Sequence, residues 1–301
     1  MTQNPSENPT LLTAWKGTQA RLKAAGVDSP SIDARLLLEA STGAGRVDIL
    51  NDPYRVVPAD KMAILEDMVT RREKREPVSK ILGKKGFWKI MLNVTPDVLS
   101  PRPDTETLLD VIVRAFPAHK AFDMVDLGTG SGAILLATLA ERFGARGLGT
   151  DISEEALAVA RENAANLELT NRATFMKADW ATGLSDKSFD LVVSNPPYIP
   201  SGDIPGLDPE VREHDPHLAL DGGPDGLQPY RDLAPEIARI LRPEGIFAVE
   251  IGYDQGPAVK GLFIQAGFSD VKVVQDLGNR DRVVTNGPDP RLDPLPEPKG
   301  L

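Results

Sequence analysis

Asn195-Pro196-Pro197-Tyr198 follows directly on the apolar run Phe189-Asp190-Leu191-Val192-Val193-Ser194. Such a run reads as a buried strand, and ligands of open α/β sheets bind beyond the C-terminal ends of their strands. Two prolines hold φ near −65° and remove two N–H donors, which leaves a stiff rim of carbonyl acceptors. The Asn195 side-chain oxygen and the Pro196 backbone carbonyl can accept both hydrogens of an –NH₂ group. A nitrogen held at both hydrogens aims its lone pair at an electrophilic carbon, which is catalysis by orientation. Tyr198 can stack on a planar acceptor group. An amide nitrogen is a poor nucleophile, and its hydrogens become acidic only as the new bond forms. Acceptors on the rim therefore stabilise the developing positive charge, and no general base is assigned.

A second constellation lies upstream. Asp126-Leu127-Gly128-Thr129-Gly130-Ser131-Gly132 links the strand-like Phe122–Val125 to the helix-like Ala133–Arg142. Glycines there permit a tight strand-to-helix turn and let a ligand approach the backbone. The spacing is G-x-G-x-G, unlike the G-x-G-x-x-G of dinucleotide sites, and taken alone it is also compatible with a plain structural turn. Asp151 ends the next strand, roughly 20 residues on. A carboxylate at that tip can accept hydrogen bonds from both hydroxyls of a ribose. Ser153 is available to cap the following helix, so Asp151 is not needed for that. Asp179-Trp180 ends a third strand, where a carboxylate and a ring could address the edge and face of an adenine. A buried structural tryptophan explains Trp180 equally well. Together these features suggest a nucleoside cofactor beside the Asn195–Tyr198 rim. No Ser/His/Asp arrangement competes, and His214 and His217 read as loop residues.

Composition narrows the classes. The chain has 301 residues, no cysteine and three histidines, at 119, 214 and 217. Disulfides, thiolate zinc sites and cysteine nucleophiles are excluded, there is no H-E-x-x-H pattern, and no metal site is expected. No apolar run reaches the roughly 18 residues of a membrane span. The polar start, Met1 to Pro9, lacks the basic and apolar regions of a secretory leader. The missing leader and the missing cysteines both fit the cytoplasm. Residues 1–85 carry 14 Lys+Arg against 11 Asp+Glu, whereas residues 86–301 carry 20 against 33. An acidic catalytic half is poorly suited to a phosphate backbone, so direct nucleic-acid binding is not expected.

The elements that must position these residues fall into two groups. Residues 10–80 read as short helices: Leu11, Trp15, Leu22 and Ala25 recur at helical spacing, Ser31 is a candidate N-cap after Pro30, and Met62, Leu65 and Met68 or Val69 share a face. Residues 78–100 alternate enough for a strand pair, read as a hairpin-like linker. From about residue 105 the pattern is strand, helix, strand, helix. Strands are expected at Phe122–Leu127, Gly147–Thr150, Thr174–Ala178, Phe189–Ser194 and Ile246–Ile251, with helices such as Ser153–Leu167 and Pro229–Leu241 between them. That alternation predicts a parallel, doubly wound α/β sheet. Val271–Leu277 and Arg282–Thr285 suggest a closing antiparallel hairpin at the sheet edge. The tail from Gly287 holds five prolines and is expected to be disordered.

Taken together, these residues resemble the peptide chain release factor N(5)-glutamine methyltransferases, the PrmC/HemK family, from about residue 78 to 285. The resemblance rests on Ile81-Leu82-Gly83 with Phe87-Trp88, on Pro101-Arg102-Pro103-Asp104-Thr105-Glu106, on the Gly128–Gly132 loop and on Asn195–Tyr198. It continues through His214-Asp215-Pro216 to Gly226-Leu227, Glu250-Ile251-Gly252 with Gln255, and Asp276-Leu277-Gly278 with Arg280. Ser100, where an apolar residue is usual, and Asp215, where many relatives carry Glu, depart from the pattern without touching the rim.

The resemblance implies a Rossmann-like, seven-stranded S-adenosylmethionine-dependent methyltransferase domain with a small N-terminal helical bundle. The bundle would span residues 1–80, the linker 81–104, the catalytic domain 105–286 and the tail 287–301. The substrate would be the glutamine of the Gly-Gly-Gln loop in release factors 1 and 2, and the products N(5)-methylglutamine and S-adenosylhomocysteine. The helical bundle would help bind the release factor, and the enzyme is treated as a monomer. Gly128, Thr129, Gly130, Ser131, Gly132, Asp151, Trp180 and Asn195 would contact the cofactor. Asn195, Pro196, Pro197 and Tyr198 would hold the glutamine, with Asn195, Pro196 and Tyr198 as the catalytic set. Three other readings remain open at this point: methylation of a ribosomal-protein glutamine, methylation of an exocyclic amine of a nucleic acid, and cofactor binding without turnover.

Overall fold

The computed structural model describes residues 9–292, so the polar start before Pro9 and the tail beyond Leu292 lie outside the described residues. The described residues form two units, one of residues 9–83 with 208–214, the other of residues 84–207 with 215–292.

The first unit is helical: α1 (Leu11–Ala24), α2 (Pro30–Thr42), α3 (Arg46–Asn51), α4 (Ala59–Glu73) and α5 (Val78–Leu82). Leu11, Leu22, Leu37, Leu38, Leu65 and Val69 make its core. Helix α2 starts one residue before the expected Ser31 cap. Pro30 takes the first helical position, which suits its fixed φ, and Ser29 becomes the cap residue. Arg72 is buried and is neutralised by Asp33 at 2.8 Å and Glu210 at 3.0 Å, while Arg75 reaches Glu210 at 2.6 Å. Glu210 lies in the segment 208–214, so a stretch far along the chain completes this unit.

The second unit begins with a hairpin, β1 (Lys84–Phe87) and β2 (Ile90–Asn93), paired antiparallel. There follow α6 (Glu106–Ala115), β3 (Phe122–Leu127), α7 (Ala133–Glu141), β4 (Ala145–Asp151), α8 (Glu154–Asn166), β5 (Ala173–Lys177) and β6 (Phe189–Ser194). The one-turn α9 (Pro209–Arg212) falls in the segment already assigned to the first unit. The chain closes with α10 (Gln228–Ile240), β7 (Leu241–Glu250), α11 (Gly256–Gln265), β8 (Lys272–Gln275) and β9 (Asp281–Thr285). The sheet has seven strands in the order β5-β4-β3-β6-β7-β9-β8. Strands β3 to β7 run parallel, and β9 lies antiparallel to both β7 and β8. The closing hairpin therefore places β9 inside the sheet and β8 at its edge.

Helix α7 is apolar nearly all round, and every residue from Ala133 to Leu139 is buried. It fits closely on β4 because that strand carries Gly147, where a Cβ would collide with Leu135, while a Cβ on Gly149 would lie 2.9 Å from Phe175 of β5 and Thr129 of the glycine loop. Helices α6 and α10 bury one face each, through Leu108, Leu109 and Ile112, and through Tyr230, Leu233 and Ile237. The strand order reverses at β3, with β4 on one side and β6 on the other. That switch point opens a crevice at the strand C-termini. The first residues of the Pro-rich tail stay on the sheet: Gly287 N–H donates to Thr285 and Arg291 to Gln275.

Candidate functional site

The crevice holds a cavity of about 560 Å³, within the roughly 300–1,000 Å³ usual for ligand pockets. Its walls come from the C-terminal ends of β3, β4 and β6, the residues after β5, the segment before α6 and the loop from Pro216 to Gly223.

On the β3–β4 side, Gly128, Gly130 and Gly132 have φ of 73°, 54° and 80°, a left-handed conformation that favours glycine. The loop is fastened to β4 by backbone bonds: Gly128 N–H and Thr129 N–H both donate to Thr150 O, at 2.9 and 2.8 Å. Asp151 completes the fastening. Its Oδ2 accepts from Gly130 N–H and its Oδ1 from Ser153 N–H, each at 2.9 Å. An ionised carboxylate has about four acceptor positions, so each oxygen keeps one for a hydroxyl of a diol. Ser153 caps α8 by accepting from Ala156 N–H, which leaves Asp151 to the loop and the cavity. Gly128, Thr129, Gly130 and Ser131 line the cavity, as do Ala133 and Ile134 at the positive N-terminal end of α7. Gly132 does not. A Cβ there would lie 3.0 Å from Leu136 and 3.4 Å from Ala160, so its place is in the packing behind the loop.

Trp180 is half-buried. The residue packs against a core cluster and also lines the cavity. Its carbonyl accepts from Thr150 Oγ1 at 2.9 Å, and its ring lies 3.2 Å from where a Cβ on Gly128 would sit. The glycine and the tryptophan thus define one wall between them. Beneath the loop, buried Asp126 accepts from Thr129 Oγ1 at 2.7 Å through Oδ2, while Oδ1 has no partner among the described residues. Burial pushes this carboxyl up to about 7. Asn163, 1% exposed, clamps the loop from behind: it donates to Ser131 O and Asn93 O and accepts from Asn93 N–H.

On the β6 side, Asn195 and Pro197 line the cavity. Pro196 is buried and Tyr198 half-buried, and neither lines it. Tyr198 packs on the core cluster of α10 and β7. Burial, reinforced by nearby Glu250, pushes its phenol up to about 12, so it stays protonated at neutral pH. The Tyr198 carbonyl is gripped by Gln255 Nε2 at 3.0 Å, and Gln255 also reaches Gly226 O. Gly222 lies so close that a Cβ would meet the Tyr198 backbone at 2.9 Å, and a Cβ on Gly226 would collide with Tyr198 O. The glycines after Asp221 and the glutamine after Gly252 therefore back the rim.

Asn195 Nδ2 donates to Thr105 Oγ1 at 3.4 Å, which turns the other end of the amide, Oδ1, away from Thr105. Thr105 lines the cavity too, beside Arg102 and Pro101. That segment is joined to the opposite loop by Asp215, which accepts from Arg102 at 3.4 Å and from Ser100 N–H at 3.5 Å. Sequence reasoning assigned no role to Thr105, Asn163, Asp215 or Gln255. All but Asn163 stand within, or just beside, motifs already singled out, and those motifs were the only available signal. The arrangement offers a backbone cradle with an acidic tip and an aromatic wall on one side, and a carbonyl-bearing rim on the other.

A family model described as the PrmC N-terminal domain matches residues 13–83, and one described as a methyltransferase domain matches residues 118–261. The release factor glutamine methyltransferase of Caulobacter vibrioides is 60% identical over 285 residues, which is 95% of this chain and 99% of that one. Its counterpart in Rhodospirillum rubrum is 48% identical over 87% of this chain and 80% of its own. That of Agrobacterium fabrum is 44% identical over 88% and 93%. Among solved structures, the hMettl16 catalytic domain in complex with MAT2A 3'UTR hairpin 6 matches with a TM-score of 0.52 at 16% identity, over 64% of this chain and 74% of that chain. The last likeness is one of fold alone.

Proposed function

The chain belongs to the release factor glutamine methyltransferase family, and from that premise we propose that it methylates the glutamine side-chain nitrogen in the Gly-Gly-Gln loop of class 1 release factors 1 and 2. The methyl donor in this reading is S-adenosylmethionine, and the products are N(5)-methylglutamine and S-adenosylhomocysteine. The observation that carries the reading is the setting of Asn195: it stands at the end of β6 in the cavity wall, with its NH₂ turned to Thr105. Its oxygen is then the atom left to meet an incoming amide.

The residues of the β3–β4 side fit a nucleoside cofactor. Asp151 retains acceptor capacity for two ribose hydroxyls, Trp180 offers a ring face to an adenine, and Gly128 and Gly130 let a ligand approach the backbone. The N-terminal end of α7 suits a carboxylate. When bound, S-adenosylmethionine supplies an electrophilic methyl carbon on a sulfonium. The chain supplies orientation. Asn195 Oδ1, in the cavity wall, accepts one amide hydrogen, and the carbonyl of Pro196, whose residue does not line the cavity, accepts the other once the glutamine is seated, so the pair directs the nitrogen lone pair. The same oxygens stabilise the positive charge that grows on nitrogen as the nitrogen–carbon bond forms and the carbon–sulfur bond breaks, and one amide proton is then lost to solvent. The helical first unit, matched by the PrmC N-terminal model, takes part in holding the release factor, and the enzyme works in the cytoplasm, where its substrate does. No helix among the described residues is long and apolar enough to cross a membrane.

Mass spectrometry of release factors 1 and 2 after incubation with enzyme and cofactor tests this. A mass gain of one CH₂, from a methyl replacing one amide hydrogen, is expected and is confined to the glutamine of the Gly-Gly-Gln loop. Unmodified factors, with label instead on a ribosomal-protein glutamine or a nucleic-acid amine, would overturn it.

A further inference from the structure

A second tier of polar groups stands behind Asn195. Thr105 is 4% exposed, and its oxygen accepts from Asn195 Nδ2. A hydroxyl has one proton to give. Here its partner is the carboxyl of Glu250, at the C-terminal end of β7, which is hydrogen-bonded to the Thr105 side chain. Glu250 is 1% exposed, and its Oε2 has no partner among the described residues. Burying a carboxyl with an unpaired oxygen is costly, and a group retained at that cost calls for a task beyond packing.

The task follows from the shape of an amide. The two ends of Asn195 are nearly isosteric, so packing cannot decide which end faces the cleft. Only hydrogen-bond polarity can. A flipped Asn195 would present NH₂ to the substrate's own NH₂, donor against donor. Thr105 alone does not prevent this, because a hydroxyl either donates or accepts. An ionised carboxylate is an acceptor only. With its proton committed to Glu250, Thr105 can offer Asn195 only an oxygen, and that oxygen selects the NH₂ end. We propose that Glu250 and Thr105 are positioning residues that fix the orientation of the Asn195 amide and so aim its oxygen at the methyl-accepting nitrogen. The inference rests on the role given to Asn195 under the proposed function.

The relay has a protonation state on which its direction depends. Charged and titratable groups face Glu250 from every side: Arg102 and Asp104 from the segment before α6, Arg282 from β9, Tyr198 from the rim and Tyr230 from α10. Tyr230 Oη donates to the Glu250 backbone carbonyl, and Arg282 is shared with Asp104 and Asp276 at 3.2 Å each. Burial outweighs these cations and pushes the carboxyl up to about 7. Once protonated, Glu250 can donate to Thr105, which is then free to donate to Asn195 and admit the flipped amide.

The test is steady-state methyl transfer to intact release factor by wild type, Thr105→Val, Thr105→Ser and Glu250→Gln, with cofactor affinity measured by calorimetry. Thr105→Val is expected to lose roughly tenfold or more in kcat, in line with the cost of mispositioning. Cofactor Kd and release-factor KM stay within about twofold, and Thr105→Ser restores most of the loss. Wild-type kcat falls as pH drops through about 7, and Glu250→Gln lowers kcat and removes that limb. Thr105→Val with near wild-type kcat, Thr105→Ser as impaired as Thr105→Val, or an acid limb that survives in Glu250→Gln would each overturn the relay. The nitrogen-15 resonance of the Asn195 side-chain amide gives a readout that needs no release factor. It should shift between pH 6 and 8 in wild type and stay fixed in Glu250→Gln. A resonance that behaves alike in both overturns the relay whatever the substrate proves to be. A wild type that leaves release factors unmodified while that resonance shifts as expected overturns the proposed function instead.

Discussion

The two halves of the cavity are built by different means. On the β3–β4 side most polar contacts are made by backbone: Gly128 and Thr129 N–H on Thr150 O, and Gly130 and Ser153 N–H on Asp151. On the β6 side the decisive contact is between side chains, Asn195 to Thr105 at 3.4 Å, with Glu250 behind it. The first half is set by the path of the chain, so its geometry survives most substitutions that spare the glycines. The second depends on which way one amide is turned. On the proposed function, binding is therefore built into the fold, while rate rests on a few replaceable atoms.

Substitutions on the two sides should separate along that line, and the largest effect is expected at Asn195. Asn195→Ala removes an acceptor that matters most as charge develops, so kcat should fall roughly 10²–10³-fold. Cofactor Kd by calorimetry should move less than about threefold; a parallel loss of cofactor binding would erase the distinction between the halves. The converse change is Asp151→Ala, which frees the Gly130 and Ser153 N–H groups and removes the ribose acceptor. Cofactor Kd should rise about tenfold or more, about 1.4 kcal/mol, while kcat at saturation stays within a few fold. A large fall in saturated kcat would mean that the cradle also positions the reaction.

Gly128→Ala is milder. It places a Cβ 3.2 Å from the Trp180 ring in a residue at φ 73°. A cost of about 1–2 kcal/mol is expected, seen as a drop of a few degrees in Tm with weaker cofactor binding. The last prediction concerns stability alone. Asp126 has its folded pKa raised from 3.8 to about 7. Between those values the native state keeps a proton that the unfolded chain has lost, so folding stability falls as pH rises through this window. Asp126→Asn should flatten that fall in urea melts at pH 5 and pH 8. An unchanged slope would remove Asp126 as its source.

How legible each half was follows from the same difference. Phe122–Leu127 and Phe189–Ser194 coincide with β3 and β6 because fully buried parallel strands read as continuous apolar runs. Strand β7 was expected from Ile246 but begins at Leu241. Its first residues, Arg242-Pro243-Glu244-Gly245, look like a turn, and the register with β6 shifts there. Gly132 shares the spacing of the loop glycines, yet its φ serves packing on Leu136, which spacing cannot reveal. Tyr198 ends the rim motif, but its neighbours on α10 and β7 draw the ring toward the core. Thr105 and Asn195 lie 90 residues apart, and only the folded sheet joins them. Contacts set locally were readable, and those set by tertiary closure were not.

The most direct test of the account is a structure of the enzyme with S-adenosylhomocysteine and a peptide carrying Gly-Gly-Gln. The account predicts the glutamine amide nitrogen about 3 Å from both Asn195 Oδ1 and Pro196 O, with Asn195 Nδ2 still on Thr105. A glutamine seated elsewhere, or an Asn195 amide turned with its NH₂ toward the substrate, would contradict it.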